Sequence, residues 1–518
     1  MSDDSLRSRL VYEPRELKFG TSGRRGLVAD LTPLEIYINV TAELEYLQSL
    51  PATAGGIARG DVFYYAYDLR PSSASLAQVV ERAARDAGMT PVNLGRIPTP
   101  ALTAYGIEQG KGSIMVTGSH IPFDRNGYKC NSARGELLKT DEVPINERVA
   151  KIRQRLYHQP FAQSPFDERG QFKAPLPALA PETDAARKAY IARYTNFFPP
   201  GCLRGKSLLV YQHSAVGRDI LVELLQELGA AVIAAGRSET FVAVDTENID
   251  DAQLAALQRL VDEAGPVDAV VSTDGDSDRP LILGVEQGRV KFFGGDLVGM
   301  IVAEFLGADA VVVPVSCNDA IDRSNLQHVL EPKTKIGSPY VIAGMEQARA
   351  KGRQRICGWE ANGGFLLGSD LVRDGRRLRA LPTRDAVLPI LCVLLAAENR
   401  PLSELFGRLP RRYGKSALLK NVPRSVGQKI IEQFADAARL APFFPGFAPI
   451  RKLDLTDGIR IYFANGDVAH IRPSGNADEL RIYAVADTQG RADEIARLAV
   501  AEPNGILRAL EKAVQRGG

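Results

Sequence analysis

Short apolar runs alternate with longer stretches of helical period along most of this chain. VFYYAY (62–67) reads as a strand, and DLRPSS turns it into a helical stretch, SASLAQVVERAARDAG. GSIMV (112–116) is a second short strand. The pattern restarts with KSLLVYQ (206–212), GRDILVELLQELG, AAVIAAG and DAVVSTD, and again with GGDLVGMIVAEFLG (294–307) feeding ADAVVVPVS (308–316). Strand alternating with helix predicts α/β domains with mostly parallel sheets, and ligand groups in the loops after the carboxyl ends of strands. Pro and Gly thicken between Gln159 and Pro181, which reads as a linker or exposed hairpin; the helical AARKAYIARYTNFF follows. After about Pro410 short β-like runs dominate (SALLKNVP, IRKLDL, GIRIYFA, DVAHIRP, ELRIYAVAD), with helical stretches near 426–440 and 491–515. That predicts a smaller α+β domain. The expected layout is three α/β domains with mixed, mostly parallel sheets, at 1–170, 171–292 and 293–406, and a C-terminal α+β domain at 407–518.

Composition narrows the class. A charge of +2 over 518 residues supplies no electrostatic reason to expect nucleic acid. Five cysteines without a Cys-x-x-Cys pair argue against a disulfide framework or structural zinc, and fit a reducing cytoplasm. The N-terminus MSDDSLRSR has no apolar core of a signal peptide. The longest apolar run, Ala386 to Ala397, is too short to span a bilayer and reads as a buried helix.

The sharpest chemical signal is DAVVSTDGDSDRP (268–280). In an extended loop Asp274, Asp276 and Asp278 would point the same way, and three converging carboxylates call for a hard divalent cation such as Mg²⁺. A solvated acidic turn is the plain alternative. An EF-hand is excluded, because Arg279 stands where its Gly belongs and Val285 where its Glu belongs. Arg279 itself could hold a phosphate or neutralise the cluster.

Ser119 follows GSIMV in VTGSHIPFDRNGY (116–128). His120 is adjacent, and neighbouring residues rarely face each other as a base and nucleophile must. No Gly-x-Ser-x-Gly elbow exists, which disfavours a hydrolase triad. A phosphorylated Ser119 could ligate the metal of the Asp loop, with Arg125 and Lys129 balancing its charge; a turn serine is the alternative reading. Three more polar loops stand out. KFGTSGRRGLV (18–28) combines glycines with Arg24 and Arg25, a composition suited to phosphate. CGWEANGGFLLGSD (357–370) carries Glu360 and Asn362, able to bind vicinal hydroxyls, or is a glycine turn with a packed Trp. In AHIRPSGNADELRIY (469–483), Arg472, Ser474, Asn476 and backbone N–H groups would form an anion cradle, or a simple hairpin turn.

Together these loops resemble the α-D-phosphohexomutase family, whose segments occur in this order: GTSGRRG at 20–26, TGSHIPFDRNGYK at 117–129, DGDSDR at 274–279, GWEANGG at 358–364 and RPSGN at 472–476. The wording is most like bacterial phosphomannomutases and phosphoglucomutases. The resemblance implies four domains around a central cleft and a phosphorylated Ser119. It implies one Mg²⁺ held by Asp274, Asp276, Asp278 and that phosphate. Arg25, His120, Lys129 and Arg279 would line the transfer site, with Arg24 a second candidate for the family arginine. Glu360 and Asn362 would contact sugar hydroxyls, and Arg472, Ser474, Gly475 and Asn476 would hold the phosphate that is not reacting. The chain departs from the family pattern at Gly118 and Ile121, where Ala and Asn are usual, and at Ser338, Gly364 and Asn476.

The expected activity is interconversion of mannose 6-phosphate and mannose 1-phosphate through a hexose 1,6-bisphosphate, which is also the activator. Glucose phosphate is the nearest rival substrate. A metal-dependent phosphatase and a non-catalytic sugar-phosphate binder are the competing classes. The implied partner is a phosphorylated hexose, with neither nucleic acid nor membrane, for a cytoplasmic monomer or homodimer.

Overall fold

The computed structural model describes residues 4–247, 249–474 and 478–516. Four large sheets follow one another along the chain. The first runs Arg24–Leu27, Arg125–Ser132, Ser113–Val116, Val62–Tyr67, Thr90–Asn93, with Gly135–Glu136 also paired to Arg125–Ser132. The second runs Arg289–Phe292, Pro280–Glu286, Ala269–Thr273, Ser207–His213, Ala231–Arg237. The third is Ala310–Val312, Ile356–Trp359, Phe365–Leu367, Leu381–Asp385. The fourth, Tyr413–Lys420, Glu479–Ala486, Val468–Pro473, Ile459–Phe463, Ile450–Asp454, is antiparallel throughout.

The first three sheets are mixed, as expected, but their parallel share is smaller than strand–helix alternation predicts. Parallel ladders join the strands linked by helical crossovers, Val62–Tyr67 with its two neighbours and Ser207–His213 with its two. The loop-bearing strands instead turn straight back: Ser113–Val116 pairs antiparallel with Arg125–Ser132, Ala269–Thr273 with Pro280–Glu286, and Ile356–Trp359 with Phe365–Leu367. The serine, metal and sugar loops therefore do follow the carboxyl end of a strand, yet lead into a hairpin partner instead of a helix; the loop at 18–28 follows no strand and runs into the edge strand Arg24–Leu27.

Burial explains the longer elements. Helix Val387–Ala397 is apolar all round and almost wholly buried, so it sits inside the molecule. The largest hydrophobic cluster is continuous from Tyr64 to Leu409 and fuses the first three sheets with their helices. The fourth sheet packs its own cluster against Gln489–Val500 and Ile506–Arg516. These two helices replace the single stretch expected at 491–515, because the chain breaks at Pro503 and Gly505, which interrupt the helical backbone. The Pro/Gly-rich segment 159–181 is not a free linker: it contains a small antiparallel hairpin, Phe166 bridging Phe172, with Glu168 and Arg169 exposed at its tip. It is strapped to the first domain by Phe166, which is fully buried, and by Phe161, Phe172, Leu176 and Leu179 against the same core.

Candidate active site

The acidic loop is a turn, not an extended segment. Ser277 N–H donates to the Asp274 carbonyl at 3.1 Å, Asp274 N–H to the Arg279 carbonyl at 3.0 Å, and Ser277 takes a left-handed φ of 58°. The turn still brings one carboxylate oxygen of Asp274, Asp276 and Asp278 to within 4.8 Å of one another, all fully buried. Convergence thus comes from the turn's curvature rather than from strand alternation.

Cations interleave these acids. Lys129 Nζ donates to Asp276 Oδ2 at 2.7 Å and to Asp278 Oδ2 at 2.6 Å. Arg384 Nη2 reaches Asp278 Oδ2 at 2.9 Å, and its Nη1 reaches Glu360 Oε2 at 2.8 Å. Arg279 Nε stands 3.7 Å from Asp278 Oδ1 and 3.9 Å from Asp274 Oδ2. Burial pulls the Asp278 carboxyl upward, but Arg384, Lys129 and Arg279 outweigh it and hold the group far below the usual carboxylate range. Asp274 goes the other way: burial, then Asp276 and Asp278, raise it well above that range.

Ser119 completes the cluster. It is fully buried in a left-handed backbone conformation, φ 54°, and its Oγ donates to Asp274 Oδ2 at 2.5 Å. Its Oγ also lies 3.3 Å from His120 Nδ1, so the two neighbours do meet, contrary to the expectation that adjacent side chains diverge. The positive φ swings the two side chains to one side. Burial, then Arg279 and Arg25, push the His120 imidazole well below its usual range and keep it neutral.

Strand alternation separates the two candidate arginines. Arg24 is buried against Glu43 Oε1 at 2.7 Å and the Leu17 carbonyl at 2.6 Å, over the ring of Phe19. Arg25 feels Arg279, Asp276, Arg384 and Asp278; burial and then Arg279 bring its guanidinium down to about 10. Arg25 therefore faces the cluster and Arg24 the core. Asn362 sits beside Glu360, but its Oδ1 accepts from Gly364 N–H at 3.0 Å and its carbonyl from Thr246 Oγ1 at 2.8 Å. Arg472 lies near the end of strand Val468–Pro473 of the fourth sheet, and Ser474 directly follows that strand. Arg472 Nε pairs with Asp457 Oδ1 at 3.0 Å, and Asp457 Oδ2 accepts from Ile336 N–H of the third domain at 2.9 Å. Gly475 and Asn476 fall outside the described residues.

Two site residues escape the sequence reading. Arg384 is one; its only signal is a charged residue just ahead of a buried apolar helix. Thr99, whose Oγ1 donates to Asp276 Oδ2 at 2.5 Å, is the other, marked only by Pro98 and Pro100 around a helix start.

The cluster fits a hard divalent cation. Asp276 Oδ1 and Asp278 Oδ1 are buried and accept no hydrogen bond from the described residues, a costly state for carboxylate oxygens unless a ligand takes them. The donors are all oxygen, which Mg²⁺ prefers. Three carboxylates meet three cations, so adding a divalent ion and a phosphoserine of about −2 charge leaves the balance undisturbed.

The comparisons with known proteins agree along the whole chain. Models of phosphoglucomutase/phosphomannomutase match in four consecutive pieces: alpha/beta/alpha domain I over residues 16–156, domain II over 188–287, domain III over 294–413 and the C-terminal domain over 419–502. The chain belongs to the phosphoglucomutase/phosphomannomutase family. Phosphomannomutase of Salmonella muenchen is 40% identical over 489 residues, covering 94% of this chain and 95% of that one. Phosphomannomutase of Sinorhizobium fredii is 38% identical over 495 residues, covering 95% and 99%. Among solved structures, a phosphoglucomutase/phosphomannomutase family protein from Burkholderia thailandensis superposes with a TM-score of 0.68 at 19% identity, covering 98% of this chain and 99% of that one. Membership makes the chain a phosphohexomutase, an isomerase that moves phosphate within one sugar. Among the described residues, no helix is long and apolar enough to cross a membrane.

Proposed function

We propose that this phosphohexomutase interconverts mannose 6-phosphate and mannose 1-phosphate, with Ser119 as the phosphoryl carrier. The observation that carries the reading is the 2.5 Å contact between Ser119 Oγ and Asp274, inside a buried carboxylate trio with two unsatisfied oxygens. The full-length likeness to two phosphomannomutases supports mannose as the sugar.

Asp274, Asp276 and Asp278 would hold the Mg²⁺. When bound, it offsets charge on the transferring phosphoryl group. Phospho-Ser119 gives its phosphoryl group to the free hydroxyl of the bound sugar phosphate: the P–O bond to serine breaks and a P–O bond to the sugar forms. The hydroxyl proton leaves to one of the basic groups lining that position, His120, Lys129 or Arg25. The hexose 1,6-bisphosphate turns round, and Ser119 Oγ recovers the other phosphate. Arg279 and Arg25 steady the phosphoryl oxygens. Glu360, fixed by Arg384, reads sugar hydroxyls with Asn362. Arg472 and Ser474, with Gly475 and Asn476, hold the distal phosphate.

A coupled assay with mannose 1-phosphate, Mg²⁺ and a trace of sugar bisphosphate tests this. Mannose 6-phosphate should form, at a higher kcat/KM than glucose 6-phosphate forms from glucose 1-phosphate. Ser119→Ala should abolish turnover without unfolding the chain. Absence of product from enzyme whose phosphorylation intact-mass spectrometry has verified would refute the reading. Chelation should stop turnover and lower the melting temperature, since it leaves Asp276 Oδ1 and Asp278 Oδ1 buried without a partner.

A further inference from the structure

Beneath the serine loop lies a buried arginine that the mechanism above leaves unused. Arg70 follows the strand Val62–Tyr67 and is 2% exposed. Its Nη1 donates to the carbonyls of Pro122 at 2.7 Å and Arg125 at 2.8 Å, and its Nη2 to the carbonyls of Ser119 at 2.8 Å and Ile121. Four carbonyls of one loop thus converge on a single guanidinium. The planar fork of arginine can serve them together, whereas the point charge of lysine cannot.

The surroundings fix that guanidinium. Asp68 Oδ2 lies 3.4 Å from Nε. The same carboxylate oxygen accepts from Thr117 Oγ1 at 2.7 Å, and Thr117 Oγ1 accepts from Ser119 N–H at 2.8 Å. The ring of Phe241, from the second domain, covers the guanidinium carbon at 3.9 Å. Phe241 also borders the metal loop: a Cβ on Gly275 would lie 3.2 Å from its ring and 2.6 Å from the Ser119 carbonyl. Gly118 presses on the arginine from the loop itself, where an added Cβ would fall 2.5 Å from Cζ and 2.6 Å from Nε. Gly118 is one of the positions at which this chain departs from the family pattern, so Arg70 occupies space that an alanine methyl would need.

We propose that Arg70 is a positioning residue for phosphoryl transfer. It gathers residues 119–125 into the strained loop that presents Ser119 Oγ to Asp274, and Phe241 registers that loop against the metal loop. The inference rests on Ser119 as the phosphoryl carrier. The Arg70 guanidinium is taken up by loop carbonyls and Asp68, so its loss misplaces the serine and leaves the sugar contacts in place.

The test uses the full-length chain with Arg70→Lys, Gly118→Ala, Arg70→Ser and the double variant Gly118→Ala/Arg70→Ser. Arg70→Lys should lower kcat about 100-fold, the order expected when a reacting atom is misplaced by an ångström, with KM for mannose 1-phosphate little changed. Amide exchange over 118–125 should quicken, while exchange in Ala269–Thr273 stays as in the parent. Gly118→Ala should lower kcat in the parent, yet add no further loss in the Arg70→Ser background, where the methyl has room. Parent-like kcat and exchange in Arg70→Lys would overturn the proposal, as would a Gly118→Ala penalty undiminished without the arginine. Should Arg70→Lys fail to fold, the Gly118→Ala pair decides by the same criterion. Should the parent make no mannose 6-phosphate, the phosphomannomutase reading falls, and exchange over 118–125 still decides the role of Arg70.

Discussion

His213 and His470 show what burial does to a single titrating group here. Each donates Nε2–H to a carbonyl, Thr273 O at 2.7 Å and Asp457 O at 2.6 Å, which leaves Nδ1 bare. Burial brings His213 down to about 4, and burial followed by Arg460 brings His470 down to about 3. The unfolded chain binds these protons from pH 6.5 downward and the folded chain does not, so acid favours unfolding. Each histidine should cost about 1.4 kcal/mol per pH unit until its folded value is reached. Urea unfolding at pH 7 and pH 5 checks it: His470→Gln, which keeps a donor for Asp457, should lose its share of the slope. Arg384 is the second test. Arg384→Met strands the buried acid Glu360 and leaves Asp278 to Lys129 and Arg279, and should destabilise the fold by about 3–5 kcal/mol in denaturant titration. The acids, Ser119 and Lys129 were legible in sequence because each stands in a short loop whose composition has a chemical reason. Arg384 was not, because its partners are distant in the chain. The choice between Arg24 and Arg25 needed only the strand's alternation, once that strand was known.

At the scale of elements, hairpin connections carry the serine, metal, sugar and phosphate loops alike. Strands such as Val62–Tyr67, Ser207–His213 and Ala269–Thr273 were readable from apolar runs, but the return strands Arg125–Ser132 and Pro280–Glu286 were not, the first because its sequence RNGYKCNS is largely polar; nor was pairing direction, since an apolar run looks the same beside a parallel or an antiparallel partner. Helix Gly295–Leu306 supports the sugar loop through Gly299, where a Cβ would lie 2.3 Å from Trp359. Gly299→Ala should therefore cost about 1–3 kcal/mol by overpacking. It should also raise KM through Glu360, the next residue; an unfolding curve and steady-state kinetics on the same preparation check both. The tryptophan is a wedge in the core, 1% exposed, so that the glycine-turn reading of 357–370 was right about its packing.

In the whole molecule, the first three domains share one apolar cluster while the fourth keeps its own. No sequence pattern announced which cores would fuse, because fusion depends on outer faces of helices meeting across domains. Polar contacts tie the fourth domain on. Arg412 reaches Asp319 Oδ1 at 2.7 Å, Asp487 Oδ1 at 2.6 Å and the Gly466 carbonyl at 2.7 Å, and Arg460 Nη2 reaches the Cys317 carbonyl at 3.1 Å. Arg412→Met should split calorimetric unfolding into two transitions and raise KM for mannose 1-phosphate. One transition with parent KM would contradict it. A seam stitched by ions and carbonyls exchanges its partners for water when it parts, and uncovers little oil. Such a seam parts at less cost than a fused apolar core would, which is what a doubly phosphorylated sugar would need in order to somersault between its two phosphoryl transfers without being lost to the solvent.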